Sequence, residues 1–211
     1  MKINRDLIGA LKDPLGDLTK DIAEAVWDTA LEDSLLKNIP FVAAMLAIKD
    51  GAIAVRDRLF AAKVARFISG VNGLSASERA RAIDDLAGTT AKREQLGELL
   101  LSKLDRMDPL QKPEMLAKLF IALGRGRIAA KDFDRLSDMV VNVFLGDLRL
   151  LSVRRQVTDV EESRRFALQA SGYLAWQVDE VYAGGGAKLK WSITKDGIAI
   201  LDHCPPNARQ E

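Results

Sequence analysis

The sequence predicts a mostly α-helical protein, a multi-helix bundle carrying a small C-terminal α+β module. Three observations predict it. Over the first 152 residues, apolar side chains recur at the three-and-four spacing of one helix face. Aromatic residues make up only 6% of the 211, so packing falls to Leu, Ala, Val and Ile. After residue 152 the period shortens to two around Gly184-Gly185-Gly186. The bundle is expected over residues 1–152, the module over 153–204 and a loose polar tail, opened by Pro205-Pro206, over 205–211.

The first predicted helix covers 15–36, where Leu15, Leu18, Ile22, Val26 and Leu35-Leu36 repeat at helical spacing. Pro40 suits the first turn of the next, since its missing N–H costs nothing there. Residues 40–69 read as one helix of about 45 Å, or as two joined at Gly51. Its apolar residues wrap a wide arc that includes Ile53, Phe60, Val64 and Phe67, so it is expected at the centre of the core. Gly70 to Gly73 ends it. Ser75-Ala76-Ser77-Glu78 has capping-box spacing and opens a helix to Leu86. Gly88-Thr89-Thr90 supplies a stop and a new cap before Leu96, Leu99, Leu100, Leu104 and Met107. Asp108-Pro109 predicts another N-cap with proline at the first helical position. The stripe Leu116, Leu119, Phe120 and Leu123 follows, closed by Gly124-Arg125-Gly126. One helix over 131–151 is predicted from Phe133, Leu136, Val140, Val143, Phe144, Leu148 and Leu151. In the module, a helix over 159–174 precedes strands at 176–182 and 188–194, and a short helix over 195–202 closes the fold.

Composition removes several function classes. The 31 basic and 30 acidic residues leave a net charge of +1, so any nucleic-acid site has to be a local patch rather than a bulk field. The single cysteine, Cys204, forms no internal disulfide and points to a reducing, cytoplasmic setting. The polar opening Met1-Lys2-Ile3-Asn4-Arg5-Asp6 does not read as a secretory signal. The apolar run Ile39 to Ile48 is half of what a bilayer span needs, and extending it would bury Lys49-Asp50. It reads as a core helix, with contact at a membrane surface as the other use of such a segment.

Two stretches resemble known families. Ser171-Gly172-Tyr173-Leu174 and Ser192-Ile193-Thr194-Lys195-Asp196-Gly197-Ile198-Ala199-Ile200-Leu201 are similar to the second half of a winged-helix domain. That resemblance implies that Thr194 caps the last helix and that Gly197 lies close beneath the hairpin. Ile39-Pro40, Lys49, Val55-Arg56-Asp57-Arg58-Leu59-Phe60, Lys63 and Phe67-Ile68 resemble the Abi-alpha (abortive infection alpha) type of bacterial protein. It implies a helical body, a winged-helix-like end and a setting in phage defence, and it carries over no catalytic residue.

The candidate sites follow from charge and spacing. Arg164 and Arg165 lie where a recognition helix would be, and Lys188 and Lys190 lie on the hairpin. Together they would reach phosphates beside a major groove, although Glu180, expected opposite Lys190, would offset part of that charge. The hairpin used in packing or protein contact is the competing reading. Lys49, Arg56 and Lys63 recur every seven residues on one helix face. They would dock an acidic partner or lipid headgroups, or form a solvated or salt-bridged edge, and a buried Asp57–arginine pair is an equal alternative. His203-Cys204 lacks metal-ligand spacing, the glycine runs lack phosphate-loop spacing, and the many carboxylates read as solvated faces. No metal, cofactor or catalytic residue is therefore expected. The expected function is that of a non-enzymatic bacterial interaction or regulatory protein acting through protein contacts of its bundle, with self-association open. A winged-helix DNA-binding regulator is the alternative. The third reading is a membrane-active effector that exposes the helix of residues 39–55.

Overall fold

The computed structural model describes residues 2–12, 55–108 and 111–207. The helix predicted over 15–36 lies outside them, as do residues 40–54 of the one predicted over 40–69, Lys49 included. The described chain is mostly helical, with one small antiparallel sheet near its C-terminal end.

Helix α1 (Lys2–Lys12) has no counterpart in the sequence reading. Among its described side chains, Leu7, Ile8 and Leu11 are buried. It packs against α3 (Ala76–Leu86) and α4 (Thr90–Arg106). Helix α2 (Val55–Gly70) buries Ala61, Ala62, Val64, Ala65, Phe67 and Ile68. The predicted capping box forms at α3. The Ser75 hydroxyl accepts from the Glu78 N–H at 3.2 Å, and the Glu78 carboxylate accepts from the Ser75 N–H at 2.8 Å. The Thr89 hydroxyl accepts from the Lys92 N–H and starts α4.

Helix α5 (Lys112–Gly124) is a central element: ten of its 13 residues are buried, and it touches α2, α3 and α6 (Ala130–Asn142). It begins after Gln111 with Pro113 in its first turn, and Pro109 of the predicted Asp108-Pro109 start lies outside the described residues. Two near-perpendicular ring contacts, Phe67–Phe120 and Phe120–Phe133, each 6.1 Å between centroids, join α2, α5 and α6 through the core. Lys103, almost fully buried on α4, reaches Asp134 at 2.9 Å and Asp138 at 2.6 Å on α6. Burial of a lysine is tolerable there because two carboxylates face it.

The single helix predicted over 131–151 is two. Val143 (φ −70°, ψ 144°) and Phe144 (φ −76°, ψ 117°) are extended, and α7 (Leu145–Arg154) starts anew behind them. Val143, Leu145, Leu148 and Leu151, on and after the break, are all buried in the core. Phe144 is turned outward.

A 3₁₀ turn (Val157–Asp159) leads to α8 (Glu162–Ala170), then to strands β1 (Leu174–Val181) and β2 (Ala187–Ile193) and to α9 (Lys195–His203). Thr194 caps α9, accepting from the Gly197 N–H at 2.9 Å. A Cβ at Gly197 would lie 2.6 Å from the Tyr173 carbonyl oxygen, so only glycine lets α9 pack this closely under the hairpin. Leu168, Tyr173, Leu174, Ile200, Leu201 and Cys204 belong to the same hydrophobic cluster as the bundle. The module is thus fused to the bundle through one core. Arg155 pairs with Asp202 at 2.8 Å, Arg164 with Asp147 at 3.0 Å, and Arg135 with Asp196.

The predicted loose tail is docked as far as Asn207. Pro206 is buried, and Lys118 donates to the Pro205 carbonyl at 3.1 Å and to the Asn207 side chain at 2.7 Å. Asn207 donates in turn to Glu114 at 2.6 Å, and its carbonyl accepts from Arg149 at 3.2 Å.

Candidate functional site

The hairpin places the predicted cations differently from one another. Its turn runs from Tyr182 to Gly186, where the Tyr182 N–H donates to Gly186 and the Gly185 N–H to Tyr182. Gly185 and Gly186 supply the positive φ angles, +84° and +103°, that this turn requires. The strand register slips between Val178 and Glu180, leaving Asp179 unpaired. Glu180 therefore stands opposite Lys188, and Gln177 opposite Lys190, a correction to the pairing expected from a three-residue turn. Lys188 is held by Asp179 at 3.3 Å and Glu180 at 3.6 Å. Lys190 is exposed and has no ion pair among the described residues.

On α8, Arg164 turns toward the bundle, to Asp147 at 3.0 Å and Glu161 at 3.7 Å. Arg165 lies over the Trp191 ring, 5.6 Å from its centroid. The four residues are not gathered into one basic patch: two cations are neutralised, one is stacked and one is free. The other predicted stripe is anchored as well. Arg56 pairs with Asp105 at 3.4 Å, and the Lys63 ammonium donates to the Asp105 carbonyl at 3.1 Å, so both tie α2 to the end of α4. Lys49 and the side chain of Asp57 lie outside the described residues.

A cleft of about 1440 Å³ opens between α6, α7, the start of α8 and the docked tail. Apolar side chains line its floor and lip: Val143, Leu145, Leu150, Phe144 and Val153, of which Phe144 is 70% and Val153 80% exposed. Charges border it in both signs. Arg149 is engaged by Gln111 and the Asn207 carbonyl, and Lys112 donates to the Val141 carbonyl at 2.6 Å. Burial pushes the Lys112 ammonium below its ordinary pKa, with Asp108 opposing the shift. The ring of Phe144 lies against Gly146, where a Cβ would meet it at 3.0 Å.

No family model, characterised protein or solved structure matches the chain. Function has to be read from the chain's own geometry. Cys204 is fully buried, and burial pushes its thiol up to about 12, so it offers no thiolate near neutral pH. Among the described residues no group of three or more His, Cys, Asp and Glu side chains is placed to hold a metal ion, and no helix is long and apolar enough to cross a membrane. The sequence pattern does not mark the cleft: Val143-Phe144-Leu145 reads as part of a helical stripe, and α6 itself buries three consecutive residues, Met139, Val140 and Val141.

Proposed function

We propose that this chain is a non-enzymatic interaction protein that takes a segment of a protein partner into the cleft between its bundle and its C-terminal module. The observation that carries this reading is Phe144. A helix is broken beside it, and the ring is presented to solvent at the lip of a cleft rather than added to the core. Exposed aromatic anchors beside apolar pockets are the residues that dominate protein recognition. The volume exceeds the roughly 300–1,000 Å³ of small-molecule pockets and suits a polypeptide segment. Because α7 joins the bundle and α8 begins the module, occupancy of the cleft would be felt by both. The setting of bacterial phage defence rests on the resemblance carried by residues 39–68, and the cytoplasmic setting on the single cysteine, Cys204.

The test is photo-crosslinking in phage-challenged cells with benzoylphenylalanine in place of Phe144. A discrete protein adduct, absent when the photo-residue replaces exposed Glu98 and lost in a Val153→Asp background, is expected. Phe144→Asp should also abolish any protection seen in plaque counts. Equal labelling from positions 144 and 98 would sink the cleft as a contact site.

DNA binding through the hairpin keeps one feature in its favour, the free charge of Lys190 on the polar strand face. Anisotropy titration of duplex DNA should then show affinity that falls steeply with salt and on Lys190→Ala.

A further inference from the structure

We infer that the hairpin's apolar face is a self-association surface, on which a second copy of this chain seats the same face of its own hairpin. The inference concerns a different surface from the cleft and stands independently of it. Cross-strand pairing sorts the side chains. Leu174–Ile193, Trp176–Trp191 and Val178–Leu189 share one face, while Ala175–Ser192 and Gln177–Lys190 share the other. Beyond Val178 the slip at Asp179 resets the alternation. Val181, opposite Ala187, rejoins the face of Leu189 and Trp191, whereas an unbroken strand would have put it on the polar side. The irregularity therefore lengthens the apolar stripe to the tip of the hairpin.

Among the described residues, only the root of this stripe is covered. Leu174 is buried, Ile193 is partly so, and Phe166 meets the Trp191 ring edge-on at 5.0 Å. Trp176 remains 45%, Val178 51% and Val181 77% exposed. With Phe166, these expose on the order of 400 Å² of apolar surface, as large as the biggest patch usual for a monomer. Two such faces would bury about 800 Å² before any polar rim is added, the scale of a weak, reversible pair rather than an obligate one.

Charge selects a second copy as the occupant. At the tip, Asp179 stands out of the strand pairing and shares its cation, Lys188, with Glu180. At the root, Arg165 over Trp191 has no carboxylate partner among the described residues, and its Nε is buried without an acceptor. A two-fold axis that lays the hairpins face to face and tip to root brings each Asp179 to the other copy's Arg165. The contact is self-complementary, as a two-fold interface has to be. A net charge of +1 imposes little long-range repulsion between copies.

Sedimentation velocity of the intact chain over about 1–200 µM tests this. A reversible monomer–dimer equilibrium is expected. Val181→Asp, at a site too exposed to disturb the fold, should weaken it at least about tenfold, with an unchanged circular dichroism spectrum. Arg165→Glu should also weaken it, and mixing that variant with Asp179→Lys should restore pairing. Phe144→Asp should leave it unchanged. A chain that stays monomeric throughout overturns the inference, as does a dimer indifferent to Val181→Asp or one lost in Phe144→Asp. Cosedimentation of a monomeric chain with phosphatidylglycerol vesicles would overturn it too, and assign the face to a lipid surface.

Discussion

Cys204 and Tyr173 lie against each other at the junction of α9 and the hairpin, both without exposed surface. Burial raises the pKa of each, the thiol to about 12 and the phenol also upward, with the nearby cysteine adding to the latter. A raised pKa means that the folded state holds the proton more tightly than the unfolded chain. Stability is then complete below the unfolded value, near 9 for the thiol, and is lost as pH climbs toward 12. Urea midpoints should be level from about pH 7 to 8.5 and fall above about pH 9, by at most ~1.4 kcal/mol per pH unit for one group. Cys204→Ala should flatten the first part of that fall, between about pH 9 and 10, before the phenol of the unfolded chain ionises. An unchanged slope would mean that the thiol is solvated. Gly197 supplies a second residue-scale expectation. Gly197→Ala would drive a methyl group against the Tyr173 carbonyl oxygen and should cost about 1–3 kcal/mol in urea unfolding. The resemblance carried by Ser192-Ile193-Thr194-Lys195-Asp196-Gly197 implied both the Thr194 cap and the close Gly197, and both are present.

Among the elements, the break between α6 and α7 separates two accounts of the same stripe. Were 131–151 one helix with Phe144 in its buried stripe, Phe144→Ala would cost about 3–5 kcal/mol. With the ring 70% exposed, the substitution should change stability by less than about 0.5 kcal/mol, whereas Val143→Ala, in the core, should cost about 1–2.5 kcal/mol. Urea unfolding of the two variants decides it. The stripe could not reveal the break because apolar residues at 140, 143, 144, 148 and 151 satisfy a continuous helix and an interrupted one equally well. Caps were legible at α3 and α4, where Ser75, Glu78 and Thr89 act on backbone groups three residues away. Strand register was not, since it depends on a five-residue turn and on one unpaired residue, Asp179, whose neighbours read as ordinary strand. For the same reason the pairing of Lys188 with acids, and the freedom of Lys190, emerged only from the structure. Helix α1 was not expected, although Ile3, Leu7 and Leu11 recur there at four-residue spacing, because Lys2, Asn4, Arg5 and Asp6 make that stretch read as polar.

Across the whole molecule, the question is whether the module is an appendage or part of one cooperative unit. Tail docking is a long-range property: Asn207 meets Arg149 from 58 residues away and Glu114 from 93, so Pro205-Pro206-Asn207 carried no local sign of it. Glu114 also holds Arg66 at 2.6 Å, which links the tail to α2 through α5. Add the ion pairs Arg155–Asp202, Arg164–Asp147 and Arg135–Asp196 and the shared burial of Ile200, Leu201 and Cys204, and the module has no core of its own to retain once the bundle opens. Two-state unfolding is the expected consequence. In a Trp27→Phe background, Trp176 and Trp191 report on the hairpin alone, while far-ultraviolet circular dichroism reports mainly on the helices. The two urea transitions should coincide. Asn207→Ala should move both together, by about 1–2 kcal/mol, because it removes the two side-chain hydrogen bonds that hold the tail to α5. A tryptophan transition that precedes the helical one would instead mean that the hairpin opens by itself. Its apolar face would then be exposed by local unfolding, not presented by a rigid scaffold, and any pairing through it would weaken as the hairpin frays.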